Sequence, residues 1–217
     1  MSDYSTRRTT MVDTQIRPSD VTKYPIIQAM LEIPRESYVP DGKRDEAYVS
    51  ENVALGASRV MLGPRTFAKL LEELDIEPHE VVLDIGCGLG YSVAVIARLA
   101  ETVVAVEEDA DLASEAQAIL SANDVDNAAV VEGVLAEGAA KHGPYDVIIL
   151  EGAAEQVPQV ILNQLKDGGR IGCIFMEGTL GVARIGYKMG KEVIWRFVFN
   201  ASAPILPGFE RPKKFVL

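Results

Sequence analysis

The chain has 217 residues, 48% of them hydrophobic and 24% charged, with a formal net charge of -11. That is room for one full core, and the composition excludes a disordered or low-complexity protein. The negative charge argues against a nucleic-acid backbone as partner, no apolar run reaches membrane-spanning length, and two cysteines with two histidines make neither a disulfide framework nor a zinc site.

The first segment, "MSDYSTRRTTMVDTQIRPSD", is polar, lacks an apolar signal core and reads as mobile. A reduced, cytoplasmic protein is therefore expected, with no metal, no nucleic acid and no membrane as partner. "VTKYPIIQAMLEI" predicts a helix with Ile26, Met30 and Ile33 on one face, stopped by Pro34. "PRESYVPDG" reads as a loop, and "GPRTFAKLLEELDIEP" as a second helix with Pro64 in its first turn and a Phe67, Leu70, Leu71, Leu74 stripe.

From Val81 the pattern alternates. "VVLDI" reads as a buried strand, "GYSVAVIARLA" as a helix, "TVVAVE" as a strand and "ADLASEAQAILSAN" as a helix. "NAAVVEG" and "YDVIILEGA" read as strands, "VPQVILNQLK" as a helix and "GGRIGCIFM" as a strand. Continuous apolar strands alternating with helices predict a parallel sheet covered on both faces. "VARIGYKMGKEVIWRFVFN" breaks the alternation and reads as an antiparallel hairpin at one sheet edge. The expected fold is α/β: a doubly wound, mostly parallel Rossmann-like sheet with a C-terminal antiparallel hairpin and an N-terminal helical extension.

Ligands of such sheets sit beyond the carboxyl ends of the strands, so the turn after the first strand, "GCGLGY", is the place to look. It lacks the lysine and hydroxyl of a phosphate loop. The third glycine of a dinucleotide fingerprint would fall at 91, which is Tyr91, and this disfavours an NAD-dependent dehydrogenase. The turn instead reads Asp84-x-Gly86-x-Gly88-x-Gly90. A carboxylate at Asp84 repels a pyrophosphate and suits an ammonium group. Glu107 ends the next strand, about 20 residues on, where a carboxylate takes ribose hydroxyls. A ligand with a ribose, an amino group and no phosphate fits both, and S-adenosylmethionine is the obvious candidate. The bland alternatives are a helix-capping role for Asp84 and a solvated Glu107. "EEDAD", Glu107 to Asp111, reads as acidic residues at a helix N-terminus rather than a metal site.

The chain also resembles the protein-L-isoaspartate O-methyltransferases, a branch of the class I methyltransferases. The likeness rests on "MVDTQIRPSDVTKYPIIQAMLEIPRESYVP", with a Val-Pro-Arg-Glu-x-Phe-Val-Pro-like motif at Ile33 to Pro40, on "EAYVSENVALG", and on "PYDVIILEGAAEQVPQVILNQLKDGGRI". It covers roughly residues 11 to 175 and implies methyl transfer from S-adenosylmethionine to isoaspartyl carboxylates in proteins or peptides. It implies an N-terminal helical extension, 1–62, packed on a methyltransferase domain, 63–217. Asp84, Gly86, Cys87, Gly88, Gly90, Glu107, Glu108, Gly133, Val134 and Leu135 would form the cofactor site.

Two stretches depart from the family pattern. Where the family carries Gly-x-Gly-Gln-Thr-Ile-Ser-x-Pro, this chain has "GASRVMLGP", which puts Leu62 at the serine and Val60 at the threonine, with Ser58 and Arg59 nearby. Leucine donates no hydrogen bond, so Ser58 and Thr66 become candidates for the hydroxyl's task. Where the family has Gly-Asp-Gly, with its Asp on the adenine amino group, this chain has Gly133-Val134, leaving Glu132 or Glu137 as substitutes. These departures keep two rivals open: a methyltransferase with another acceptor, and an inactive cofactor-binding homologue. Of the remaining features, Trp195, Phe197 and Phe199 read as alternating core residues, and Lys213 and Lys214 as solvated.

Overall fold

The computed structural model describes residues 3–56 and 58–212. The N-terminal segment, expected to be mobile, is helical: α1 (Tyr4–Met11) runs on through tighter and wider turns to Ser19. Asp3 caps it by accepting from the Ser5 and Thr6 amides. Met11, Val12 and Ile16 are buried, and this docking supplies the order that a polar composition had hidden. α2 (Tyr24–Glu32) buries Ile26, Ile27, Ala29 and Met30. The expected loop after it forms two 3-10 turns, Arg35–Tyr38 and Asp41–Glu46. A small hairpin that the sequence did not announce follows, β1 (Val53–Gly56) paired with β2 (Arg59–Met61). α3 (Pro64–Leu74) buries its expected stripe and ends where Asp75 turns left-handed at φ 49°.

The main sheet has seven strands. β3 (Val81–Ile85), β4 (Thr102–Glu107), β5 (Ala128–Glu132), β6 (Tyr145–Ala154) and β7 (Leu165–Glu177) pair in parallel, and β8 (Leu180–Met189) and β9 (Glu192–Asn200) close one edge antiparallel. Spatial order is β5-β4-β3-β6-β7-β8-β9. The chain winds outward from β3 in one direction and returns to its other side with β6, so the switch point lies between β3 and β6. Alternate residues face opposite layers: Val82, Val103 and Ala105 join the core under α2 and α3, and Leu83, Val104 and Val106 join the other. α4 (Tyr91–Ile96) and α5 (Ala110–Ala122) fall where expected.

Two further expectations need correction. The helix read over "VPQVILNQLK" shrinks to α6 (Gln159–Leu162), because Leu165 already pairs with Tyr145 in the sheet. Lys188 Nζ donates to the freed Leu162 and Leu165 carbonyls. The aromatic alternation on β9 does not give one buried face. A register shift between Ala183 and Arg184 leaves Val198 unpaired and flips the phase, a bulge effect. Phe199 is buried in one layer, Trp195 packs edge-on against Phe175 in the other with ring centroids 4.8 Å apart, and Phe197 is 59% exposed. Lys213 and Lys214 lie outside the described residues.

Candidate cofactor and active site

Three neighbouring strands deliver one carboxylate each to the same end of the sheet: Asp84 from β3, Glu107 from β4 and Glu151 from β6. All three are buried. The glycine turn connects β3 to α4, with Gly86, Gly88 and Gly90 at φ 82°, 55° and 89°, a backbone that L side chains rarely adopt. The space over the turn is used by protein side chains. A Cβ on Gly86 would lie 3.1 Å from a Leu206 methyl, and one on Gly88 would overlap Leu55.

Asp84 is not a helix cap. α4 is capped by Gly90, with no side-chain bond. Among the described residues neither Asp84 oxygen has a hydrogen-bond partner. Burial pushes its carboxyl up to about 7; the charge of Glu107 adds to this, and the nearby Ser92 hydroxyl pulls the other way. A fold does not bury an unpaired carboxylate without cost, so such a group marks a place where a positive ligand group would be received.

Glu107 is the opposite case, neither solvated nor short of partners. It accepts the backbone N–H groups of Gly88 (3.0 Å), Glu108 (2.8 Å) and Asp109 (3.1 Å). It also receives Arg59 Nε, 3.0 and 3.1 Å from its two oxygens. The side chains of this ion pair are 2% and 0% exposed. Asp109 caps α5 through the Asp111 and Leu112 amides, in keeping with the bland reading of "EEDAD". Among the described residues no group of three His, Cys, Asp or Glu side chains could hold a metal.

Glu151 was missed. It stands in a stretch of β6 where the register against β7 slips between Ile149 and Ala153. Irregular pairing of this kind re-aims side chains near active sites. Burial, then the charge of Asp84, pushes its carboxyl well up, while Arg35 opposes the shift. The signal was present: "YDVIILEGA" has an acid after a continuous apolar run, as "VVLDI" and "TVVAVE" do. Arg35 was also missed as an individual residue. Fully buried, it donates to the Ala47 carbonyl at 2.7 Å and the Leu62 carbonyl at 2.6 Å, and its guanidinium carbon sits 4.6 Å from the centroid of the Tyr91 ring. It thereby ties the Pro34–Tyr38 segment, the site loop and α4 together.

The other expected residues sort by position. Cys87 is buried in the turn, and burial raises its thiol pKa, so it is inert packing. Glu108 is exposed and reaches Glu107 only through its backbone. Gly133 donates to the Glu107 carbonyl at 3.0 Å, Leu135 is fully buried facing Gly86, and Val134 is 47% exposed at the rim. Glu132 and Glu137, the candidate substitutes for the adenine carboxylate, are both exposed. Leu62 is 1% exposed. Ser58 is exposed at the hairpin turn with φ 60°. Thr66 lines a separate depression with Thr14, Asn52 and Arg65, away from the three carboxylates. No serine or threonine hydroxyl of the loop is thus brought to the strand ends. The C-terminal segment is: Leu206 N–H bonds the Ala153 carbonyl at 2.9 Å, and Leu206 and Phe209 are buried.

A parallel sheet with a glycine turn after its central strand, an acidic residue in that turn and another ending the neighbouring strand defines the class I methyltransferase architecture. The family model described as protein-L-isoaspartate(D-aspartate) O-methyltransferase (PCMT) matches residues 6–176. A protein-L-isoaspartate O-methyltransferase of Syntrophus aciditrophicus is 35% identical over 171 residues, covering 79% of this chain and 78% of its own. One from Aliivibrio fischeri strain MJ11 is 33% identical over 190 residues, covering 86% and 91%. A solved Plasmodium falciparum structure, described as a protein of this family in complex with S-adenosyl-L-homocysteine, shares the fold with a TM-score of 0.79 at 16% identity, over 95% of this chain and 99% of that one. A second solved protein-L-isoaspartate O-methyltransferase has a TM-score of 0.79 at 22% identity, over 94% of this chain and 66% of that one. The chain belongs to the protein-L-isoaspartate O-methyltransferase family, S-adenosylmethionine-dependent carboxyl methyltransferases.

Proposed function

We propose that this chain transfers a methyl group from S-adenosylmethionine to the carboxylate of L-isoaspartyl residues in damaged proteins, a repair function in the cytoplasm, with residues 63–217 as the methyltransferase unit and 1–62 packed on it. The observation that carries the cofactor assignment is the orphaned carboxylate of Asp84 in the glycine turn, at the switch point of the sheet. Asp84 would receive the amino group of the methionine moiety, with Glu151 beside it. Glu107, at the end of β4, is placed where its carboxylate would accept the ribose hydroxyls. Leu135 and the rim at Gly133 and Val134 would border the adenine, held by apolar contact and backbone groups.

When bound, the cofactor supplies a sulfonium methyl, an electrophile that needs no further activation. The acceptor carboxylate is ionised at neutral pH, so no general base is required of the chain. Its residues have to align the two groups and exclude water. Buried Leu55, Leu62 and Leu206 suit the second task. Among the described residues no helix is long and apolar enough to cross a membrane. Both cysteines are free and buried, which is compatible with a reduced compartment.

Calorimetry with S-adenosylhomocysteine tests the cofactor site: wild type binds and Glu107→Ala binds much more weakly, whereas equal affinity would remove the assignment. Methyl transfer to an isoaspartyl peptide above the normal-aspartyl control tests the acceptor. A second reading, the same fold with another acceptor or with no turnover, is favoured by one observation: buried Leu62 stands where the family carries its serine hydroxyl. Labelled cofactor incubated with cell extract separates the two. Base-labile label on protein supports a carboxylate acceptor, and label on RNA overturns it.

A further inference from the structure

Glu107 has a limited number of hydrogen-bonding sites, and this structure uses them. A carboxylate offers about four lone-pair positions. Three are taken by the backbone amides of Gly88, Glu108 and Asp109, and Arg59 Nε spans both oxygens. A vicinal diol places one hydroxyl on each oxygen of a carboxylate, and the bifurcated Arg59 Nε–H already bridges both oxygens, so the diol cannot be received while Arg59 stays. The guanidinium is itself incompletely satisfied: among the described residues Arg59 Nη1 is buried without an acceptor. Arg59 also shares its hairpin with Leu55, the side chain that covers Gly88. Ribose carboxylate and glycine turn are thus covered by one small element, two strands of four and three residues.

We propose that Arg59 is a built-in competitor for the ribose of the cofactor, and that the affinity of the site is set by how readily Arg59 and Leu55 lift off Glu107 and Gly88. The proposal rests on the cofactor reading above. It makes Arg59 a residue that determines affinity by occupying the partner the ligand needs. Ligand binding then includes the work of separating a buried ion pair, and only the fraction of molecules with the pair open is competent to bind.

The test is calorimetry of S-adenosylhomocysteine with wild type, Arg59→Gln and the double variant Arg59→Gln/Glu107→Ala, with thermal melts to establish folding. In parallel, the Nε–H resonance of Arg59 is followed in the wild type by nuclear magnetic resonance as the same ligand is added. Arg59→Gln is expected to bind roughly tenfold or more tightly than wild type, the double variant is expected to lose that gain, and the Arg59 resonance is expected to leave its ion-paired position at saturation. Unchanged or weaker binding by a folded Arg59→Gln, with wild type still binding, overturns the competition and leaves the cofactor reading intact. A resonance unmoved at saturation does the same, and it decides the matter alone if Arg59→Gln does not fold. If neither wild type nor Arg59→Gln binds the ligand, or if Glu107→Ala binds as wild type does, the cofactor reading falls and the competition with it.

Discussion

The two ends of β3 each hold a buried acid, and the fold treats them in opposite ways. At the amino end Glu80 is paired with Arg170 by two bonds of 2.6 and 2.8 Å, and Arg170 also bonds the Leu74 and Asp75 carbonyls at the end of α3. At the carboxyl end neither Asp84 oxygen has a hydrogen-bond partner among the described residues. Both sites lie in the same sheet, so burial alone does not separate them. What separates them is satisfaction. A completed buried network fixes the fold, whereas an incomplete one at the strand ends of an α/β sheet is tolerated where a ligand completes it.

The largest effect is expected from breaking the completed end. Arg170→Ala leaves the buried Glu80 carboxylate with only the Glu77 amide as partner and frees the Leu74 and Asp75 carbonyls. It should lower unfolding stability by about 3–5 kcal/mol in urea titration, with the affinity of folded molecules for S-adenosylhomocysteine unchanged. A loss of that affinity would show that the two ends are not independent. Next, Glu107→Ala should weaken binding of the same ligand on the order of 100-fold, close to 3 kcal/mol.

Asp84→Asn sharpens the comparison through pH. The folded carboxyl titrates at about 7, above its ordinary 3.8, so the folded state holds a proton that the unfolded state has released. Stability is therefore fully present below pH 4 and is lost as pH rises through 7. Asp84→Asn should remove that part of the slope and stabilise the protein at pH 8 relative to the wild type, while weakening ligand binding. In the wild type, ligand affinity should rise as Asp84 ionises. A melting temperature that does not fall between pH 4 and pH 7, or that falls equally in the variant, would remove Asp84 as the group responsible. The smallest effect is expected at Asp109, whose cap on α5 is complete in itself: Asp109→Ala should cost about 1 kcal/mol in thermal unfolding and leave the pH dependence alone.

Much of the molecule could be read along the chain, because its signals are local. Continuous runs such as "VVLDI" and "TVVAVE" can be satisfied only between neighbouring strands, and left-handed glycines after such a run require a tight turn. Asp84 and Glu107 could be found because each ends a continuous apolar strand at or beside the glycine turn, where ligands of such a sheet sit. Three things were decided only by tertiary structure. The N-terminal helix is held by what it docks against, which its polar residues do not reveal. The β9 aromatics part company at a bulge, and a bulge is a property of a strand pair rather than of one strand. Arg59 and Glu107 are 48 residues apart. An arginine in a loop carries no mark of the carboxylate it will meet, since that pairing is a matter of distance and desolvation that exists only once the chain has folded.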